Sequence, residues 1–410
     1  MRPLIIIDAA HLKGTYEGTN LLAVGMDGNN QIIPIATGVS QGETGPSWTW
    51  FLSKLKECIG EVPNLSIISD RHASIKSACQ AVFPNAFHGY CCRHLLMNCK
   101  LKGIRLQCLF WKMCKAYLPE DFNMAINELG ATRPDVYHKL TEAGVEKWSR
   151  AYCPSDRYNY MTSNSAESIN SLTRDVRKIP ITNLMEWYRD LVQRWYCERQ
   201  EKYRDAPLNE LSDWAITKIT KRRQKSVNWI VGAIDRYIVY HVDDRRRMHT
   251  VELYSGTCTC RKWQLSGLPC GHVLAVCRVM GLTDFNHLAK GWFRRKALEG
   301  TYQELVYPVG EDSSWQRPNY LQVVKTPLMD KKLAGRPKRK ARIRSQGEEP
   351  VLVRCGRCGA CGHNRNSCRE TIPQKKTRYS QQEHSYSEQG HYYSQQAMPF
   401  SFEASDLNDP

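Results

Sequence analysis

The order of apolar runs in the first 92 residues restricts the folds that this chain can adopt. Aliphatic and β-branched residues cluster in short blocks that are typical of strands, and the turn DGNN separates the second block from the third. The predicted strands are LIII (4–7), TNLLAVGM (19–26), QIIPIATGV (31–39), LSIISD (65–70) and part of AFHGYC (86–91). Helical spacing of apolar residues predicts helices over PSWTWFLSKLKECI (46–59) and ASIKSACQAVF (73–83).

Three strands, a helix, a strand, a helix and a strand is the element order of a ribonuclease-H-like fold. We therefore predict an α/β ribonuclease-H-like core. Residues from about 93 to 155 have mainly helical patterns, which predicts an all-α insertion in that core. A further helical stretch is predicted from about 165 to 203, with an interruption near Pro180.

Two of the predicted strands end on a carboxylate, LIIID at Asp8 and SIISD at Asp70. Strand ends of such a sheet gather at one edge, where two carboxylates repel each other and favour a divalent cation. Glu167 in TSNSAESINSL is the candidate for a third acid.

On a helix, Glu167 would lie opposite an apolar face formed by Ile169, Leu172 and Val176. Its polar face would include Asn164, Asn170 and Ser171. The alternative is an ordinary strand end for each aspartate and a solvated helix face for Glu167.

Several long segments resemble the Mutator-like element (MULE) transposase domain of plants. They are PLIIIDAAHLKGTYEGTNLLAVGMDGNNQIIPIATG, SWTWFL, IISDRHASI, VFPNAFHGYCCRHLLMN and YNYMTSNSAESINSL. The resemblance covers about residues 1 to 200 and implies a domain over 1–205. It also implies that Asp8, Asp70 and Glu167 are the catalytic acids, with Mg²⁺ or Mn²⁺ as the catalytic cofactor.

A short motif lies just after the second aspartate. Cys91 and His94 have a C-x-x-H arrangement that resembles a motif of this family. The sequence leaves open whether they belong to the packed core or shape a pocket for a DNA end. No zinc ion is predicted there.

Two cysteine and histidine clusters predict structural zinc. The first, Cys258, Cys260, Cys270 and His272, has C-x-C-x9-C-x-H spacing and resembles the SWIM-type zinc finger, in a region predicted over 206–300. Such a module binds DNA or protein, and spacing does not distinguish the two.

The second cluster has the C-x2-C-x4-H-x4-C spacing of a CCHC zinc knuckle, predicted over 353–370, and its ligands are Cys355, Cys358, His363 and Cys368. Cys361 lies between them and is not predicted to be a ligand. Knuckles of this pattern bind single-stranded nucleic acid, and binding of protein alone is the alternative.

The charge of the chain indicates a polyanionic partner, because 58 Lys and Arg exceed 41 Asp and Glu. Segment 331–345 has eight basic residues and no acidic one. Its GRP core resembles an AT-hook, with Arg336, Lys338, Arg339 and Lys340 as candidate DNA contacts. The plain alternative is a nuclear localisation signal. Residues 371–410 are rich in Gln, Ser and Tyr and are predicted to be disordered.

Together these features predict a MULE-type transposase of the nucleus that uses two metal ions to cleave and join DNA at element ends. The alternative is a nuclear DNA- or protein-binding regulator derived from such a transposase, like the plant light-signalling regulators of similar architecture. No membrane segment or signal peptide is predicted, and a homo-oligomer is compatible with the sequence. The DNA-binding domain that usually precedes the catalytic core is expected to be absent.

Overall fold

A computed structural model describes residues 1–13, 17–205, 207–311 and 354–369. The chain divides into two units, residues 1–343 and 344–410. The basic segment 331–345, with Arg336, Lys338, Arg339 and Lys340, and the predicted disordered tail 371–410 lie outside the described residues.

A five-stranded mixed sheet forms the centre of the first unit. Its strands are β1 (Leu4–His11), β2 (Thr19–Met26), β3 (Ile32–Ser40), β4 (Ser66–Ser69) and β5 (Phe87–Tyr90). Their order in the sheet is β3-β2-β1-β4-β5. β2 is antiparallel to β1 and β3, whereas β1, β4 and β5 are parallel. The predicted strands and helices of the first 92 residues are therefore confirmed.

Both faces of this sheet are covered, which explains why its central strands are apolar at successive positions. Helices α1 (Gly45–Ile59) and α2 (Ala73–Val82) pack on the face that contains Ile5 and Ile7. The opposite face contains Leu4 and Ile6 and packs against helices from later in the chain.

Five helices follow β5, in the region where an all-α insertion is predicted. They are α3 (Cys92–Asn98), α4 (Ile104–Lys115), α5 (Pro119–Thr132), α6 (Pro134–Glu142) and α7 (Val145–Trp148). Phe110, Phe122 and Trp148 are fully or almost fully buried in a core of their own, separate from the two cores of the sheet. The insertion is thus stabilised mainly by contacts within itself.

After the insertion the chain returns to the sheet with α8 (Asn164–Leu172) and α9 (Ile181–Tyr203). α8 packs across β1 and β2 through Ala166 and Ile169. α8 ends at Leu172, which is half exposed, so the apolar face predicted for one continuous helix is wrong for Leu172. Val176 lies in a separate 3-10 turn and packs against the same core as Ile169.

The rest of the first unit contains α10 (Asp213–Lys225) and a second, antiparallel sheet. Its strands are β6 (Ile230–Asp235), β7 (Val239–Asp243), β8 (Met248–Glu252) and β9 (Thr257–Cys258), in that order. Within residues 259–311 the α-helices that follow are α11 (Lys262–Ser266), α12 (Gly271–Val279) and α13 (Arg295–Tyr302). α13 packs on α9, and the Tyr302 hydroxyl donates a 2.7 Å hydrogen bond to the buried Asp27 at the β2–β3 turn. Among the described residues, no helix has the length and apolarity needed to cross a membrane.

Candidate active site and metal centres

The register of the central strands brings the two predicted aspartates to one edge of the sheet. Ile6 of β1 is paired with Ile68 of β4, and Asp8 and Asp70 each lie two residues further along. Because side chains alternate along a strand, Asp8 lies on the same face as Ile6, the face that α8 covers. Asp70 lies one residue beyond the end of β4, whereas it was predicted to be the last residue of that strand. Asp8 does not end its strand, because β1 continues to His11 through its antiparallel pairing with β2.

Asp8 is half-buried beside two residues of α8. The Asn170 side chain donates a 2.8 Å hydrogen bond to Asp8 Oδ2. Burial and then the neighbouring carboxylate of Glu167 raise the pKa of Asp8 to about 7, while Asn170 and His94 oppose the shift and Asp70 adds to it. The three predicted acids are therefore close enough for their charges to interact. Such a pocket favours a bound cation, which would replace the proton that Asp8 otherwise holds.

Glu167 lies in the first turn of α8 and contacts the insertion helix α3. Its Oε1 accepts a 3.3 Å hydrogen bond from Ser163 and lies 3.8 Å from His94 Nε2, and its Oε2 lies 4.0 Å from Arg93 Nη1. The pKa of His94 is raised to about 9, mainly by its hydrogen bond to Cys91, against the effect of burial. The insertion thus supplies positive charge to the edge of an acidic pocket.

Two further residues of the pocket have no assignment from the sequence. The sequence predicted only that Asn170 shares the polar helix face with Glu167. Its hydrogen bond to Asp8 depends on how α8 packs against β1. Glu43 precedes α1, and burial followed by the charge of Asp70 raises its pKa, with His72 opposing. No spacing pattern links Glu43 to the other acids, so its position was not predictable from a single sequence.

The first predicted zinc cluster is assembled from three local elements. Cys258 ends β9, Cys260 follows it, Cys270 is the N-cap of α12 and His272 lies in its first turn. All four are buried, and one ligand atom of each lies within 4.8 Å of the others. His272 Nδ1 is 3.6 Å from Cys258 Sγ and 3.7 Å from Cys270 Sγ. A tetrahedral zinc ion with ordinary bond lengths requires an S···N separation of about 3.6 Å, so these residues fit zinc.

The other ring nitrogen of His272 faces Asp244 of the β7–β8 turn, with 3.5 Å between Nε2 and Oδ2. Backbone N–H groups of Arg246 and Arg247 hold the other oxygen of Asp244 at 2.8 and 2.7 Å. The His272 ring also stacks on Trp229, with ring centroids 4.6 Å apart. Such outer contacts fix the orientation of a zinc-binding imidazole.

Close packing around the cluster depends on Gly271 and Arg222. A Cβ atom at residue 271 would lie 2.6 Å from the Trp229 ring, so only glycine fits between Cys270 and His272. The buried Arg222 of α10 donates hydrogen bonds to the carbonyls of Leu268 and Pro269 at 2.9 and 3.0 Å. α10 thereby holds the loop that leads to Cys270.

The second predicted zinc cluster lies in the second unit, within residues 354–369. Cys355, Cys358, His363 and Cys368 each have a ligand atom within 4.8 Å of the others, whereas Cys361 is exposed and outside the group. Cys358 Sγ and His363 Nε2 are 3.2 Å apart. The donor set is that of a structural zinc site, so the predicted ligands are brought together here too.

Comparison with known proteins defines the two main modules. Residues 4–98 match the MULE transposase domain, and residues 249–281 match the SWIM zinc finger. The resemblance to a MULE transposase domain and to a SWIM zinc finger, predicted from the sequence, is therefore confirmed over these residues.

Among curated proteins, the chain is similar to two from Arabidopsis thaliana. Protein FAR1-RELATED SEQUENCE 12 is 21% identical over 322 residues, which is 68% of this chain and 40% of that protein. Protein FAR1-RELATED SEQUENCE 5 is 23% identical over 339 residues, which is 71% of this chain and 42% of that protein. The chain spans about two fifths of the length of these relatives.

Proposed function

We propose that this chain is a DDE-type transposase that cleaves and joins DNA in the nucleus, with Asp8, Asp70 and Glu167 as its catalytic acids. The observation that carries the proposal is the register of β1 and β4, which brings Asp8 and Asp70 to one edge of the sheet. The charges of Glu167 and Asp70 support it, because they add to burial in raising the pKa of Asp8. The strand order β3-β2-β1-β4-β5, with β2 antiparallel to its neighbours, supports a ribonuclease-H-like core.

The pocket has the chemistry that hard divalent cations require. Carboxylate oxygens are the ligands that Mg²⁺ and Mn²⁺ prefer, and the protein supplies three of them from separate elements. When bound, two such ions polarise a phosphodiester and stabilise the leaving oxygen.

The neighbouring side chains prepare the acids for this role. Asn170 holds Oδ2 of Asp8, and Ser163 holds Oε1 of Glu167, so each carboxylate is fixed by a neutral donor. Arg93, with a half-exposed side chain 4.0 Å from Glu167, supplies positive charge for a DNA phosphate at the edge of the pocket.

The test is Mn²⁺-dependent cleavage of DNA that carries candidate terminal inverted repeats taken from the sequence flanking the gene. Wild-type chain should nick or cut at the repeat ends, and Asp8→Asn, Asp70→Asn and Glu167→Gln should each abolish cutting. The matched control is Asp235→Asn, which replaces an exposed carboxylate on β6. This variant should cut DNA at the wild-type rate. Cutting by all three pocket variants at the wild-type rate would refute the proposal.

A transposase-derived regulator without catalytic activity is the second candidate. It is favoured by the similarity to FAR1-related proteins over about two thirds of the chain. Under this function the zinc modules and the basic segment 331–345 provide binding to DNA or protein, and the gene should lack flanking terminal inverted repeats. Long flanking repeats favour the transposase instead.

A further inference from the structure

Three potential metal ligands of different chemistry meet between the insertion and α8. Cys91 is the N-cap of α3, and His94 lies three residues later on the same side of that helix. Glu167 approaches from the first turn of α8. One ligand atom of each lies within 4.8 Å of the others.

The donor set is that of a zinc site rather than a magnesium site. Thiolate and imidazole are poor ligands for Mg²⁺ and good ligands for Zn²⁺. The 3.8 Å separation of His94 Nε2 and Glu167 Oε1 is close to the roughly 3.4 Å that a shared tetrahedral zinc ion would impose. Three protein ligands leave a fourth position open. The His94 and Glu167 side chains are 29% and 31% exposed, so an ion can reach them from solvent.

Ser163 contacts all three residues and is itself fully buried. Its backbone N–H donates to Cys91 Sγ at 3.2 Å, its hydroxyl lies 3.5 Å from His94 Nδ1, and the same hydroxyl donates to Glu167 Oε1 at 3.3 Å. One residue thus supplies the outer contacts that orient metal ligands in built sites. The sequence did not reveal the cluster, because Glu167 is far from Cys91 and His94 along the chain.

We propose that Cys91, His94 and Glu167 bind one Zn²⁺ ion, in addition to the ions of the SWIM and knuckle clusters. Zinc bound there occupies Glu167 and withdraws it from Asp8 and Asp70. The consequence for activity rests on the proposed function, since it requires Glu167 to serve a Mg²⁺- or Mn²⁺-dependent reaction. Zinc binding itself does not depend on that function.

The test is the zinc content of the full chain at equilibrium with a zinc buffer, measured by elemental analysis. Wild-type chain should hold three zinc ions, and Cys91→Ser should hold two. The matched control is Cys99→Ser, which replaces a buried cysteine at the other end of α3 that lies outside the cluster. This variant should hold three zinc ions. Two ions in the wild type, or three in Cys91→Ser, would overturn the proposal.

A second variant keeps the test decisive if Cys91→Ser fails to fold. Glu167→Gln changes a partly exposed side chain and should also reduce the zinc content from three to two, with an unchanged circular dichroism spectrum. In chain that holds Co²⁺ in place of zinc, the thiolate ligands should give charge-transfer absorption bands. The Cys91→Ser spectrum should lack the contribution of one thiolate that the wild-type spectrum contains. Retention of three ions by Glu167→Gln would remove that residue from the site and contradict the proposal.

A measurement of cleavage in the presence of zinc separates this inference from the proposed function. Added Zn²⁺ should inhibit Mn²⁺-dependent cleavage by wild-type chain and should inhibit Cys91→Ser less, each compared with its own rate without zinc. No cleavage by wild-type chain under any condition would refute the proposed function and leave the zinc count as the test of this site. Equal inhibition of both proteins would refute the competition for Glu167.

Discussion

Replacing Asp8 by asparagine should stabilise the chain when divalent cations are withheld from the acidic pocket. The pKa of Asp8 is 3.8 in its ordinary state and about 7 in the folded chain, mainly because of burial and the charge of Glu167. The folded chain therefore holds the Asp8 proton more tightly than the unfolded chain does. Between pH 4 and 7 the unfolded state loses this proton first, so the free energy of unfolding falls as pH rises.

The magnitude follows from the size of the pKa shift. One pKa unit corresponds to about 1.4 kcal/mol, so ionised Asp8 costs the metal-free chain about 4 kcal/mol above pH 7 and nothing below pH 4. Asn at residue 8 carries no charge and can still accept a hydrogen bond from Asn170. We expect the metal-free variant to melt several degrees higher than wild type at pH 8 and at the same temperature near pH 4.

The assay is thermal unfolding across pH in buffer without Mg²⁺, Mn²⁺ or chelator, so that structural zinc stays bound. Addition of Mn²⁺ should raise the melting temperature of wild type and leave Asp8→Asn unchanged, because only the former binds the cation. Asp235→Asn on the exposed face of β6 is the control and should follow wild type. Parallel melting curves for wild type and Asp8→Asn at every pH would refute the charge interactions inferred for the pocket.

Three further predictions concern the zinc modules and the basic segment. Cys270→Ser should unfold the region around residues 250 to 280 and remove one zinc ion per chain, because structural zinc supplies folding free energy; an unchanged zinc content would contradict this. Asp244→Ala should speed loss of zinc from the SWIM cluster to a chelator by about 10–100-fold, and Asp244→Asn by less, whereas equal rates would exclude an orienting role for Asp244. Deletion of 331–345 should weaken duplex binding and flatten its salt dependence, since eight positive charges release counterions; equal salt slopes would place the DNA contacts elsewhere.

The zinc clusters were predictable from the sequence because their ligands are close along the chain. Cys258, Cys260, Cys270 and His272 span one short β–α segment, so spacing alone selects them. Asp244 was not predictable, because it reaches His272 only through the pairing of β7 with β8.

The acidic pocket was predictable in part. Strand and helix patterns located Asp8, Asp70 and Glu167, but the register that aligns Asp8 with Asp70 is a property of the sheet. The prediction that Asp8 ends its strand was wrong, because pairing with the antiparallel strand β2 extends β1 beyond the apolar run. The prediction that Leu172 lies on a buried helix face was wrong, because α8 stops at that residue and leaves it half exposed.

The contact of Glu167 with Cys91 and His94 depends on how the insertion helix α3 packs beside α8. No periodicity in a single sequence encodes that packing, because the two helices are separated by the other helices of the insertion. Long-range packing therefore brings Glu167 within reach of both proposed metal sites.

Direct measurement of Mn²⁺ binding tests the central claim, that Asp8, Asp70 and Glu167 form a site for two divalent cations. In an electron paramagnetic resonance titration of chain that holds zinc only in the SWIM and knuckle clusters, wild type should bind two Mn²⁺ ions that are magnetically coupled to each other. Asp70→Asn should lose this coupled pair and keep its fold. Absence of bound Mn²⁺ in wild type, or an unchanged coupled pair in Asp70→Asn, would contradict the account.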